Sequence, residues 1–273
     1  MLLWLAPLLD ERSRPSGPYD WSWSLHHSVL IGTGLLGALY FYAIGPLRRR
    51  GNLGPPVPAW RLACFLGALV VLLGSLNGPM HDLSDYYLFS VHMVQHLLLT
   101  LVFAPLLIAG IPGWLWQLLA RPPAVRRVAR VLTHPVVAAG IFTGTIAVWH
   151  LAPFYDLMMR DHNVHIVTHL MFMVTATLLW WPVMSPIPEV PRLPYGPGML
   201  YLFLVGIPMQ LVAALITLSD TVLYPWYSVT PGTWGLSPLD DQRLGGLIMW
   251  VPGNLYLFLA IGVLFFRWAK ESE

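Results

Sequence analysis

The sequence predicts an all-α fold, a polytopic membrane bundle of about seven transmembrane helices. Three observations carry that expectation. The 273-residue chain is 56% hydrophobic and 10% charged, against roughly 25% charged in an average soluble domain. Mean hydropathy is +0.63. Apolar stretches recur along the chain, each near the roughly 20 residues a helix needs to cross a hydrocarbon core of about 30 Å. They are continuous rather than alternating, which selects helices over barrel strands. The same composition excludes a disordered chain, a disulfide-rich secreted module and a nucleic-acid-binding protein. The single cysteine, Cys64, excludes a disulfide framework and a Cys-rich metal site.

The elements follow in order. Residues 1–24 open with an apolar run, MLLWLAPLL, followed by mixed charge and no small-residue cleavage site. They read as a segment lying at the membrane interface rather than a cleaved leader. Spans are expected at 25–45, 60–77, 86–109, 134–152, 163–182, 198–219 and 244–267. Residues 25–267 then form one transmembrane domain, and 268–273 a cytoplasmic tail. Pro105, Gly206-Ile207-Pro208 and Pro252-Gly253 interrupt spans, and such breaks point to sites. The Trp and Tyr residues of the loop at 220–243 suit a membrane interface. Internal repeats and low-complexity tracts are absent from the sequence.

Loop charge sets the expected orientation. Arg48, Arg49, Arg50 and Arg61 fall between the first two spans. Arg121, Arg126, Arg127 and Arg130 fall between the third and fourth. Arg192, Arg267 and Lys270 belong to the same side, while Arg12, Arg14, Arg160 and Arg243 lie opposite. The positive-inside rule makes the Arg-rich side cytoplasmic, with the N-terminus outside and the C-terminus inside.

Ten histidines are many for so apolar a chain. All but His134 fall at the expected outer end. His26 and His27 open the first span, and His81 precedes the third. His92 and His96 lie inside the third, His150 closes the fourth, and His162, His165 and His169 open the fifth. His92/His96 and His165/His169 are i, i+4 pairs, so each pair shares a helix face. The two faces lie at similar depth and are expected to meet in the bundle. Ionisable residues inside a membrane face the interior or a cavity, and imidazole is the commonest metal ligand.

No Asp or Glu is expected inside either face, which disfavours hard cations such as magnesium or calcium. Copper and zinc suit imidazole, and thioether favours Cu(I). Met80, Met93, Met158, Met159, Met171, Met173 and Met249 lie towards the same half. The candidate metal ligands are therefore His92, His96, His165, His169, His150, His81, His162 and Met93. His26, His27, Met80 and Asp241 are auxiliary positions or a way in for the ion.

Plainer roles compete. A lone intramembrane histidine is usually a hydrogen-bonded helix contact, most methionines fill gaps, and Asp240 and Asp241 suit a helix cap. The chain contains no HExxH, Gly-rich phosphate loop or GxSxG, so a non-enzymatic role is expected. Other readings of the histidines stay open. One is haem held between His96 and His169. Another is a zinc-dependent membrane hydrolase, which needs a general base near the metal. The last is a metal-free scaffold. The sequence also leaves open a homo-oligomer.

Three strings add a family resemblance. PMHDLSDYYLFSVHMVQHLLLTLVFAPLL, HLAPFYDLMMRDHNVHIVTHLMFMVTATLLWWPVM and WGLSPLDDQRLGGLIMWVPG resemble signature segments of the membrane-integral CtaG-type cytochrome c oxidase assembly factors. These are the multi-span class associated with caa-type oxidases. The resemblance runs from about residue 25 to 267. It carries the family's histidine pattern onto His92, His96, His150, His165 and His169. Asp241-Gln242 and Gly245-Gly246 match its last motif. It implies a multi-pass protein of the bacterial plasma (inner) membrane that matures a haem-copper oxidase by delivering copper. Its partners would be oxidase subunits and the lipid bilayer. In that role Cu(I) arrives at Met80, His81 and His162, rests on the buried pairs and passes laterally to the oxidase.

Overall fold

The computed structural model describes residues 19, 21, 23–228 and 233–272. The expected interfacial segment at 1–24 lies almost wholly outside the described residues, as do Arg12 and Arg14. Among the described residues the elements are helical, with no β-strand.

Among the described residues, six helices are long and apolar enough to cross a membrane. They are α1 (His27–Gly51), α2 (Ala59–Leu76), α3 (Phe89–Gly110), α7 (His162–Met184), α8 (Tyr195–Thr217) and α9 (Pro238–Ser272). The seventh expected span is a broken pair, α4 (Pro123–Leu132) and α5 (Pro135–Trp149), bent by 67°. Pro135 sits at the break and cannot continue a helix from α4. α4 carries Arg126, Arg127 and Arg130, a composition that suits the interface. α5 alone rises about 22 Å, short of a hydrocarbon core of about 30 Å. A short helix, α6 (Ala152–Arg160), then leads to α7.

Between α2 and α3 the chain makes a helical elbow, Gly78–Asp82 followed by Leu83–Tyr87. Gly78 starts it at φ +60°, a left-handed conformation that side chains disfavour. Leu88 is extended, and α3 begins at Phe89. Asp161 caps α7: its side chain accepts from the backbone N–H groups of Asn163 and Val164.

The prolines have a simpler explanation than site-marking. Pro105 has no N–H, and α3 widens into π-type turns over Leu98–Phe103 just before it. α8 and α9 run on through Pro208 and Pro252. There Gly206 lies against Asn254 and Leu257 of α9, and the Gln210 amide donates to Asn254 Oδ1 at 2.9 Å. Those breaks belong to α8–α9 packing, where a small residue lets two helices approach.

The main core lies among α3 and α5–α9, with Phe142, Phe172, Leu179 and Leu202 fully enclosed. A smaller cluster joins α2 to α3 through Ala68, Leu72, Leu76, Leu99 and Phe103. Exposed Leu, Val and Phe on α1, α8 and α9 face outward, as lipid-covered helices require. Helix direction alternates along the chain, so the ends carrying histidine gather at one end of the bundle. The arginine-rich connections gather at the other.

Candidate metal centre

The site is built on the entry of α3. The first amides of a helix have no partner within it. Here the N–H groups of Phe89 and Ser90 donate to the Asp241 carboxylate at 2.6 and 3.1 Å, and the Ser90 hydroxyl donates to it too. Asp241 stands in the first turn of α9. It is therefore an N-cap supplied across the bundle, and its charge suits the positive helix end. Gly245, one turn on, lies against Phe89 and Met93. Cap and contact together fix the rotation of α3.

That rotation brings the two histidine faces together. The His92 and His96 rings lie 4.2 Å apart, and those of His165 and His169 4.3 Å. Across the helices, His92–His165, His92–His169 and His96–His169 are 6.0, 6.3 and 6.1 Å between ring centroids. One ring nitrogen from each of His92, His96 and His169 lies within 4.8 Å of the others, and all three residues are buried. His150, just past the end of α5, joins from the side, 5.7 Å from His96.

Hydrogen bonding prepares two of these rings. His92 Nδ1 lies 3.3 Å from the Ser84 carbonyl, and His150 Nδ1 lies 2.8 Å from the Ile146 carbonyl. A carbonyl only accepts, so each Nδ1 carries the proton and each neutral Nε2 presents its lone pair. The Nε2 atoms of His92, His150 and His169 and both ring nitrogens of His96 are buried without a hydrogen-bond partner. Unpartnered buried polar atoms are rare in native proteins. Several converging at one point form a donor set that fits an imidazole-binding metal ion.

The residues around this set are polar and ordered. Asp85, on the elbow, is 1% exposed. Its carboxylate lies 3.4 Å from His81 Nε2 and 3.3 Å from His165 Nε2. Gln95 donates to the Ser75 carbonyl at 2.6 Å, and the same amide nitrogen lies 3.2 Å from His81 Nδ1. His81 thereby accepts from Gln95 and turns its other nitrogen to Asp85, beside the triad. The expectation of no acid beside the histidine faces is corrected by Asp85. It sits just before the expected start of the third span, and the elbow tucks it inward.

A family model decides what kind of protein carries this centre. The model of the cytochrome c oxidase caa3 assembly factors (Caa3_CtaG) matches residues 38–271. The chain belongs to that family. It is similar to uncharacterized proteins of Mycobacterium bovis and Mycobacterium tuberculosis, each 32% identical over 263 residues. Those matches cover 89% of this chain and 39% of each relative. An uncharacterized protein of Mycobacterium leprae is 26% identical over 261 residues, 88% of this chain and 38% of the relative. The chain thus spans about two fifths of the length of these curated relatives. No solved structure matches it. As a member of this family with several helices long and apolar enough to cross a membrane, it is a multi-pass protein of the bacterial inner membrane.

Asp241-Gln242 and Gly245-Gly246 of α9 help to hold the centre. Gln242 accepts from Leu223 N at 2.6 Å and donates to the Thr221 carbonyl at 3.1 Å. That pins the segment carrying Tyr224, Trp226 and Tyr227. Tyr224 donates to the His150 carbonyl, Trp226 to the Asp85 carbonyl and Tyr227 to the Ser84 carbonyl, at 2.8, 2.7 and 2.7 Å. Tyr155 of α6 lies 5.4 Å from the His92 ring, its hydroxyl 2.9 Å from that of Tyr227. Burial, with Tyr227 alongside, pushes the Tyr155 phenol well above its ordinary value. These aromatic supports escaped the sequence reading. The only signal for them was aromatic richness, which membrane interfaces share.

The outlying candidates take other places. His26 stacks edge-on to His81 at 4.2 Å, with its Nε2 3.9 Å from Asp82. His162 is half-buried on a cleft, Met80 is half-buried, and His27 is exposed. Met93 is buried in the apolar core beside Gly245.

Proposed function

We propose that this assembly factor binds copper, as Cu(I), on His92, His96 and His169, with His150 and His165 adjacent, and delivers it to a haem-copper oxidase. The observation that carries this reading is the convergence of three buried imidazole nitrogens within 4.8 Å. Imidazole suits copper and zinc. Three neutral ligands add no charge, and the penalty for burying an ion rises steeply with its charge. A monovalent ion is therefore favoured over a divalent one. Family membership supports the destination, since these factors assemble cytochrome c oxidase.

The mechanism is ligand exchange. His26 and His81 lie on the way in, the imidazole triad holds the ion, and release is lateral, towards oxidase subunits in the same membrane. Few ligands and bare nitrogens keep the exchange fast. The rings of His96, His92 and Phe172 lie 4.2 and 4.5 Å apart, which leaves little room for a haem plane between His96 and His169. Asp85 favours a second reading, zinc on a mixed His and carboxylate set.

The test is metal analysis of anaerobically purified protein with an absorption spectrum. About one copper per chain and no Soret band is expected. Stoichiometric zinc in its place selects the second reading, and a Soret band the haem one. The proposal fails if the protein binds no copper. It also fails if the double substitution His92→Ala, His169→Ala leaves oxidase copper content intact.

A further inference from the structure

A second cleft opens at the arginine-rich end of the bundle, among α2, α3, α7 and α9. Three arginines from three separate elements line it. They are Arg61 at the start of α2, Arg192 in the connection before α8, and Arg267 near the end of α9. Among the described residues no Asp or Glu lines this cleft. Nor does any described carboxylate lie within 4.0 Å of the three guanidinium groups. Glu271 of α9 is engaged elsewhere, accepting from the Tyr195 hydroxyl at 2.5 Å. Charges of one sign that share a cleft repel one another, and an anion from outside the chain relieves that repulsion.

Two of the guanidinium groups are held in place. Arg61 Nη1 donates to the Ala109 and Ile111 carbonyls at 2.9 and 3.2 Å, and its guanidinium lies 4.5 Å over the Trp60 ring. Its Nε and Nη2 donate to no group among the described residues. Arg192 lies 4.7 Å over the Tyr195 ring and donates to its hydroxyl at 3.1 Å. Arg267 is exposed and makes no hydrogen bond or ion pair among the described residues. Several N–H donors therefore remain for a ligand, and the guanidinium fork matches phosphate oxygens two at a time.

Away from the arginines the walls are apolar, with Ile108, Trp180, Tyr256, Leu259 and Val263 among them. From Arg267 to Tyr256, α9 covers about 16 Å. That is close to half of a hydrocarbon core of about 30 Å. Exposed Trp60 at the charged end suits the level of the head groups. Cations at one end and one leaflet's depth of apolar wall below them select one occupant. An inorganic anion would leave the wall uncovered, and an acidic peptide would press its polar backbone against it. We infer that this cleft binds one anionic phospholipid from the leaflet at the arginine-rich end. Its phosphate sits among Arg61, Arg192 and Arg267, and one acyl chain runs along α9 towards Tyr256. The inference stands apart from copper binding, because the imidazoles lie at the other end of the bundle.

The experiment is native mass spectrometry of the delipidated full chain in non-ionic detergent, titrated with dioleoyl phosphatidylglycerol or dioleoyl phosphatidylcholine. One phosphatidylglycerol per chain is expected, bound about tenfold or more tighter than phosphatidylcholine. Arg267→Gln should weaken phosphatidylglycerol about fivefold and leave phosphatidylcholine unchanged. The double substitution Arg61→Gln, Arg267→Gln should abolish the preference; the single Arg267→Gln carries the test if the double folds poorly. Arg49→Gln, Arg50→Gln, at the same end but off the cleft, should leave the preference intact. His92→Ala should lose copper and keep the lipid, which separates the two proposals. The inference is overturned if the two lipids bind alike, or if the Arg49, Arg50 pair matters as much as Arg61 and Arg267. It is also overturned if inorganic phosphate or dihexanoyl phosphatidylglycerol binds as tightly as the long-chain lipid, since the apolar wall would then play no part.

Discussion

His92 and Asp85 show how a small set of polar atoms is made to converge in an apolar bundle. The Ser84 carbonyl faces both the His92 Nδ1 and the Tyr227 hydroxyl, so one backbone group fixes which face of the ring stays bare. Asp85 faces His81 from the other side and stands 3.3 Å from His165 Nε2. Partners behind metal ligands typically account for 10- to 100-fold in affinity. Asp85→Asn is accordingly expected to weaken copper binding about 10- to 100-fold in a chelator competition, with the protein still folded. Asp241→Ala should act through the fold instead. It leaves two amides of α3 without partners and should lower stability by about 2 kcal/mol, read as a lower unfolding midpoint in detergent. The histidines were legible from i, i+4 spacing alone. Asp85 was not, because helical spacing says nothing of a side chain on an elbow that folds back beside the helix it precedes.

At the scale of elements, contact between α8 and α9 is set by glycine. A Cβ on Gly246 would stand 2.3 Å from Thr217 Oγ1 and 2.9 Å from Thr217 N. The second of these is backbone, so the helices would have to part. Gly246→Val should therefore lower the unfolding temperature markedly and loosen the Asp241 cap, while Gly140→Ala, with nothing within 4 Å, should not. The spans themselves could be read from hydropathy, since each must bury its backbone bonds whatever its neighbours. The bend of the fourth could not. α4 and α5 read as a loop and a span in sequence, and the 67° angle depends on how α4 lies. Pro208 and Pro252 look like breaks in a list of residues, yet sit in continuous helices, with the Gln210 and Asn254 side chains hydrogen-bonded between them.

At the scale of the molecule, the two ends differ in chemistry. One carries the buried imidazoles and the other the arginine-rich connections. The positive-inside rule then predicts that a C-terminal fluorescent fusion lights up in the cytoplasm, whereas a phosphatase fused there stays inactive. The reverse pattern would turn the histidine end inward and remove the expected outward-facing delivery. Composition made this asymmetry visible, because basic side chains in short loops record orientation. Which helices touch inside the bundle was hidden, since every face of an apolar helix can pass for a lipid face.

His169 belongs both to the imidazole triad and to the wall of a cleft that opens sideways. Cargo released by that route would never enter bulk solvent. Donor and acceptor would meet by diffusion in a plane, at a rate set by their number per unit area of bilayer. Soluble scavengers would be excluded from the exchange, and diluting the surrounding medium would leave the transfer rate unchanged.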